Sequence, residues 1–100
     1  MGNVPVLRDE IPLLGAYVAP RTPIERTLAE IFCKALSMDK VSISDDFEDL
    51  GGNSLIAVSI YADIEKTFDV ALPTASIAHS PTIAQLARTI EKLVAGRGAD

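Results

Sequence analysis

The 100-residue chain has no tryptophan, two tyrosines, three phenylalanines, one histidine and one cysteine. With so few rings, its interior must be filled by aliphatic side chains. The apolar share of 48% is enough for a core without metal or disulfide staples. Cys33 has no second cysteine to pair with, so an internal disulfide is excluded. Positive charge is also short: nine lysines and arginines face fourteen aspartates and glutamates, for a net charge of −5. A nucleic-acid binder needs a basic stripe for its affinity, and an anionic membrane asks for the same sign. No apolar run approaches the length of a membrane span. The first residues carry neither the basic nor the apolar region of a signal peptide, and Val6 stands where a myristoylation motif wants serine or threonine. These absences lead to the expectation of one soluble, cytoplasmic domain that binds neither nucleic acid nor membrane. A bundle this small rarely encloses a catalytic pocket, so the domain is expected not to be an enzyme.

What is present is helical. Residues 1–21 are punctuated by Pro5, Pro12 and Pro20, and their apolar residues follow no clean period. They read as an extended arm or linker that can dock on something. A first helix opens at "TPIE", with Thr22 as cap, Pro23 at the first helical position and Glu25 completing a capping box. Ile24, Leu28, Ile31, Phe32 and Ala35 then share one face, and at about 100° per residue Cys33 projects opposite, as an exposed thiol. Residues 37–53 form a long loop whose Val41, Ile43, Phe47 and Leu50 look like core anchors. Its acidic cluster, Asp45, Asp46, Glu48 and Asp49, reads as a solvated charge run.

A second helix is expected from Ser54 to Phe68, stopped before Pro73. A short third helix is expected near "TASIAH". A last one opens at Ser80 and Pro81 and is ended by Gly96 and Gly98, with Ile83, Leu86, Ala87, Ile90, Leu93 and Val94 on one face. No segment alternates over strand length, and there are no internal repeats. The expected fold is all-α, three main helices plus a short third one, with a long loop between the first two. The expected division is an arm over 1–21, a domain over 22–95 and a tail over 96–100.

The second helix carries two apolar stripes. Ile56, Ala57, Ile60, Tyr61, Ile64 and Phe68 occupy one broad arc and face the core. Leu55, Val58 and Ala62 form a second arc, which either the loop or the short helix covers or another protein meets. This stripe starts beside Ser54. In "GGNSL" that serine can be a helix cap, with the glycines allowing a tight turn. It does not fit a nucleophile elbow: Ile56 stands where the second glycine belongs, no strand precedes it, and His79 lies beyond the helix in a turn or capping position. It does not fit a phosphate loop either, because Asn53 occupies the place of the required lysine. A hydroxyl at a helix N-terminus on a glycine turn is also open to covalent modification, and an attached phosphate gains from the helix dipole.

The ordered set Phe47, Leu50-Gly51-Gly52, Ser54-Leu55, Phe68, Leu72-Pro73 and Pro81-Thr82-Ile83, with "YVAPRTPIE" ahead of it, resembles the carrier-protein family. The likeness is greatest to the peptidyl, or thiolation, carriers of nonribosomal peptide synthetases. The resemblance implies a four-helix carrier fold and no catalysis by the domain itself. It implies that a phosphopantetheinyl transferase, using coenzyme A and magnesium, esterifies Ser54 with 4′-phosphopantetheine. The arm's thiol would then hold an aminoacyl, peptidyl or related acyl group as a thioester for adenylation, condensation, thioesterase or tailoring enzymes. The second helix and the loop before it would meet those partners, which suits Asn53, Leu55, Val58 and Ala62. Asn53 stands where histidine or aspartate is commoner in the family. An acyl or aryl carrier of a polyketide pathway is the nearest alternative. A helical interaction module with Ser54 as a mere cap is a more distant one.

Overall fold

A computed structural model of the chain describes residues 7–11, 14–72 and 82–98. Three helices account for most of them: α1 over Pro23–Leu36, α2 over Ser54–Phe68 and α3 over Ile83–Gly98. Short 3-10 turns lie at Arg8–Glu10 and Glu48–Leu50. No strand occurs among the described residues. The expected short helix near "TASIAH" lies outside them, as do Ser80 and Pro81.

The helices start where local chemistry says they should, with two changes of detail. At α1 the Thr22 hydroxyl accepts from the Glu25 backbone N–H at 3.1 Å, and Pro23 sits at the first helical position. The Glu25 carboxylate turns back to the Arg21 backbone N–H at 2.8 Å and to the Arg21 guanidinium at 3.2 Å. That hydrogen-bonded guanidinium holds the Glu25 carboxyl below the usual glutamate range, against the opposing push of burial. At α3 the helix begins two residues later than Ser80-Pro81 suggested. Thr82 and Gln85 close a reciprocal capping box there: the Thr82 hydroxyl accepts from Gln85 N–H at 3.2 Å, and the Gln85 side chain accepts from Thr82 N–H at 3.0 Å. Two orphan donors are satisfied at once, which a single serine cap cannot do. Gly96, expected to stop the helix, lies inside α3, which runs on to Gly98.

The core is aliphatic with a small aromatic centre. Leu28 and Phe32 of α1, Ile60 and Ile64 of α2, and Ile83, Leu86 and Ile90 of α3 are almost fully removed from solvent. Helix α1 packs against both α2 and α3. The long loop adds Met38, Val41, Ile43, Phe47 and Leu50 to the same core. The Phe47 ring meets Phe32 edge to face, 6.3 Å between centroids and 84° between planes, the geometry that places a positive ring edge on a negative face. The loop is therefore part of the core, and it brings its C-terminal end to the start of α2 in a defined position.

Candidate functional site

The approach to Ser54 is built residue by residue. Glu48–Leu50 makes one 3-10 turn, and Gly51 follows with φ +86°, a left-handed conformation that side chains resist. Gly52 is needed for a different reason. A Cβ there would overlap the ring of Phe47. The two glycines are thus one turn and one close approach, with the ring pinned between the core and the backbone ahead of the helix.

Asn53 comes next in extended conformation, φ −140° and ψ 178°, and its side-chain carbonyl accepts from the Ile56 N–H at 3.0 Å. It is the cap. Two adjacent residues in this sequence can cap a helix, and the turn puts Asn53, not Ser54, in the extended N-cap geometry. Ser54 becomes the first helical residue. Its hydroxyl is exposed and makes no hydrogen bond among the described residues. No acidic side chain lies in the first turn of α2. A phosphate ester on this oxygen would sit at the positive end of the helix dipole, close to the unpaired backbone N–H groups of the first turn. The residues present therefore fit a phosphorylated attachment.

The second apolar stripe of α2 is open. Leu55 is 79% exposed and Val58 59%. Ala62 is exposed beside them, and so is Asn53. The long loop turns its apolar residues into the core and does not cover this stripe. On the core side Ala57, Ile60, Tyr61 and Ile64 are buried as expected, with Ile56 and Phe68 partly so.

Two expectations require correction. The acidic cluster is not uniformly solvated. Asp46, Glu48 and Asp49 are exposed, but Asp45 is buried and paired with Arg8, side chains 3% and 5% exposed. The hydrogen bonds that Arg8 donates to the Asp45 carboxylate raise the Arg8 pKa above its ordinary value, so the guanidinium stays protonated. Nothing local signals this pair, because its members are 37 residues apart. Cys33 is half-buried and packs against the core, although it was expected to face out. A recess lined by Tyr17, Pro20, Ala29, Cys33 and Val41 accounts for this: segments flanking α1 lean over its outer face. Burial pushes the Cys33 thiol up, and the charges of Asp39 and Glu30 push the same way. The thiol is thus less nucleophilic than a free one. His79 lies outside the described residues.

The family profile described as "Phosphopantetheine attachment site" matches residues 26–90. The chain belongs to that family. This carrier domain is 46% identical over 79 residues to indigoidine synthase of Streptomyces lavendulae, which takes in 79% of this chain and 6% of that protein. It is 46% identical over 97 residues to chondramide synthase of Chondromyces crocatus, which takes in 97% of this chain and 2% of that protein. The chain thus spans a small fraction of the relatives it matches. Among solved structures, it is similar to a chain from the complex of the phosphopantetheine transferase Sfp with coenzyme A and a peptidyl carrier protein. The TM-score is 0.73 at 34% identity, over 76% of this chain and 99% of that one. It is also similar to a prototype peptidyl carrier domain of modular peptide synthetases, with a TM-score of 0.67 at 36% identity over 75% of this chain and 99% of that one. A carrier domain of this fold bears a 4′-phosphopantetheine group and does not itself catalyse a reaction. Among the described residues, no helix is long and apolar enough to cross a membrane.

Proposed function

We propose that Ser54 is the attachment point for 4′-phosphopantetheine and that the chain is a peptidyl-type carrier within nonribosomal peptide biosynthesis. One observation carries this reading most directly. Asn53 takes the capping hydrogen bond and leaves the Ser54 hydroxyl exposed at the head of α2. A phosphopantetheinyl transferase, with coenzyme A and magnesium, is the modifying partner. The Ser54 Oγ–phosphorus bond would form as the pyrophosphate bond of coenzyme A breaks, adenosine bisphosphate leaves and the hydroxyl proton is released. When bound, the group supplies a thiol that holds an aminoacyl or peptidyl unit as a thioester. This chain's own residues orient and present: Asn53 and the glycine turn hold Ser54 outward, and Leu55, Val58 and Ala62 form the face on which partners dock. Those partners are adenylation, condensation, thioesterase or tailoring enzymes, met in the cytoplasm by a monomeric domain. Residues 22–95 are the carrier unit, residues 1–21 lead into it and residues 96–100 follow it.

The test is intact mass after incubation with coenzyme A and a broad-specificity transferase. One phosphopantetheine adduct is expected on the unmodified sequence and none on Ser54→Ala. Absence of the adduct, or its persistence in Ser54→Ala, overturns the assignment.

A further inference from the structure

The segment ahead of α1 is bolted to the loop that leads to Ser54, and the bolt is a buried ion pair. The Arg8 guanidinium forms two parallel bonds with Asp45, Nε to Oδ2 and Nη2 to Oδ1, both at 2.7 Å. Nη2 also donates to the Gly15 carbonyl at 2.8 Å. The Arg8 backbone N–H donates to Asp39 at 2.8 Å. Asp45 is held from the other side by the Ser42 N–H at 3.0 Å. Further along, Val18 donates to the Ser42 hydroxyl at 2.9 Å and accepts from the Ile43 N–H at 3.1 Å. The Ile43 carbonyl in turn accepts from the Ala84 N–H at the start of α3, at 3.0 Å. The loop is therefore clasped between the N-terminal segment and α3. Two residues after Asp45 comes Phe47, whose ring lies against Gly52, two residues before Ser54.

We propose that Arg8 is a positioning residue for the attachment site. Fixed between Asp45 and Gly15, it ties the segment before α1 to the loop that carries Phe47 and Gly52, and so sets the orientation of Ser54 that the modifying enzyme reads. The working carrier unit then takes in Arg8, upstream of the first helix and of the residue-22 boundary that the helices alone suggest. An Arg–carboxylate fork suits this task, because its two parallel bonds fix direction as well as distance. A lysine keeps the charge but cannot span both oxygens and the Gly15 carbonyl together. The part of the proposal that concerns modification rests on Ser54 being the attachment point. The part that concerns the loop does not.

The experiment uses the full chain as Arg8→Met and Arg8→Lys. Hydrogen exchange of the unmodified protein is read first. Amides of residues 42–53 should exchange about tenfold faster in Arg8→Met, with the central amides of α1 and α3 little changed, which is the signature of local opening. Arg8→Lys should fall between Arg8→Met and the parent chain. Kinetics with coenzyme A and the transferase are read second. The KM for the carrier should rise several-fold while kcat changes less than twofold. A uniform exchange increase would make Arg8 a general stabiliser and overturn the proposal, as would unchanged exchange. Unchanged KM with a loosened loop also overturns it. If Arg8→Met does not fold, Arg8→Lys carries both readouts against the same outcomes. If the parent chain takes no adduct, the Ser54 reading fails, and the exchange result still decides whether Arg8 holds the loop.

Discussion

At the scale of single residues, the division of labour between Asn53 and Ser54 sets the character of the site. Asn53 satisfies an orphan N–H of α2 and is structural. Ser54, one residue later, has no such duty among the described residues. Asn53→Ala should therefore cost about 1 kcal/mol, as loss of a cap does. Ser54→Ala should cost only a few tenths, as surface changes usually do. Parallel thermal melts followed by circular dichroism check this. A larger loss in Ser54→Ala than in Asn53→Ala would return the capping role to the serine. The glycines belong to the same scale. Gly51 supplies a positive φ and Gly52 leaves room for Phe47, so a motif that looks like simple turn flexibility serves two separate constraints.

At the scale of elements, α2 differs from α1 and α3. Its buried side joins the core, and its second stripe faces solvent with nothing from the long loop over it. Two large apolar side chains left side by side in water carry no folding benefit, which supports the docking role proposed for them. Val58→Asp should shift stability by no more than about 0.5 kcal/mol, because Val58 is already exposed. It should nevertheless raise the KM for the phosphopantetheinyl transferase. A melting curve and a modification rate measured on the same sample separate the two effects. A large drop in melting temperature with normal modification would place Val58 in the core and remove it from the docking face.

At the scale of the whole molecule, acid stability should carry the mark of Glu25. Its carboxyl is held below the usual range by Arg21. The folded state thus binds fewer protons there than the unfolded chain does. The resulting stabilisation is complete above the ordinary glutamate value and is lost as pH falls through the lowered one. Glu25→Gln should flatten that part of the stability-versus-pH curve and leave the slope near neutrality unchanged. Urea unfolding at a series of pH values reads this directly. The same slope in parent and variant would assign the acid sensitivity to other carboxylates. The N-terminal segment belongs to this scale too. Through Arg8–Asp45 and the Val18–Ile43 contact it joins the chain before α1 to the loop after it.

By itself, the sequence determined the three helices, their core faces and the second apolar stripe of α2, whose exposure the tertiary structure decided. It also located the serine at the head of that helix. These follow from spacings of three and four residues and from capping chemistry, interactions that close within one or two turns. Tertiary structure decided the rest. It chose between two cap-competent neighbours, because the glycine turn leaves only Asn53 extended. It buried Asp45 out of an acidic run, because Arg8, 37 residues away, arrives to neutralise it. It half-covered Cys33, because segments flanking α1 close over a helix face that periodicity alone leaves open. No window of sequence contains both members of such pairs. Only the folded path of the chain brings them within reach.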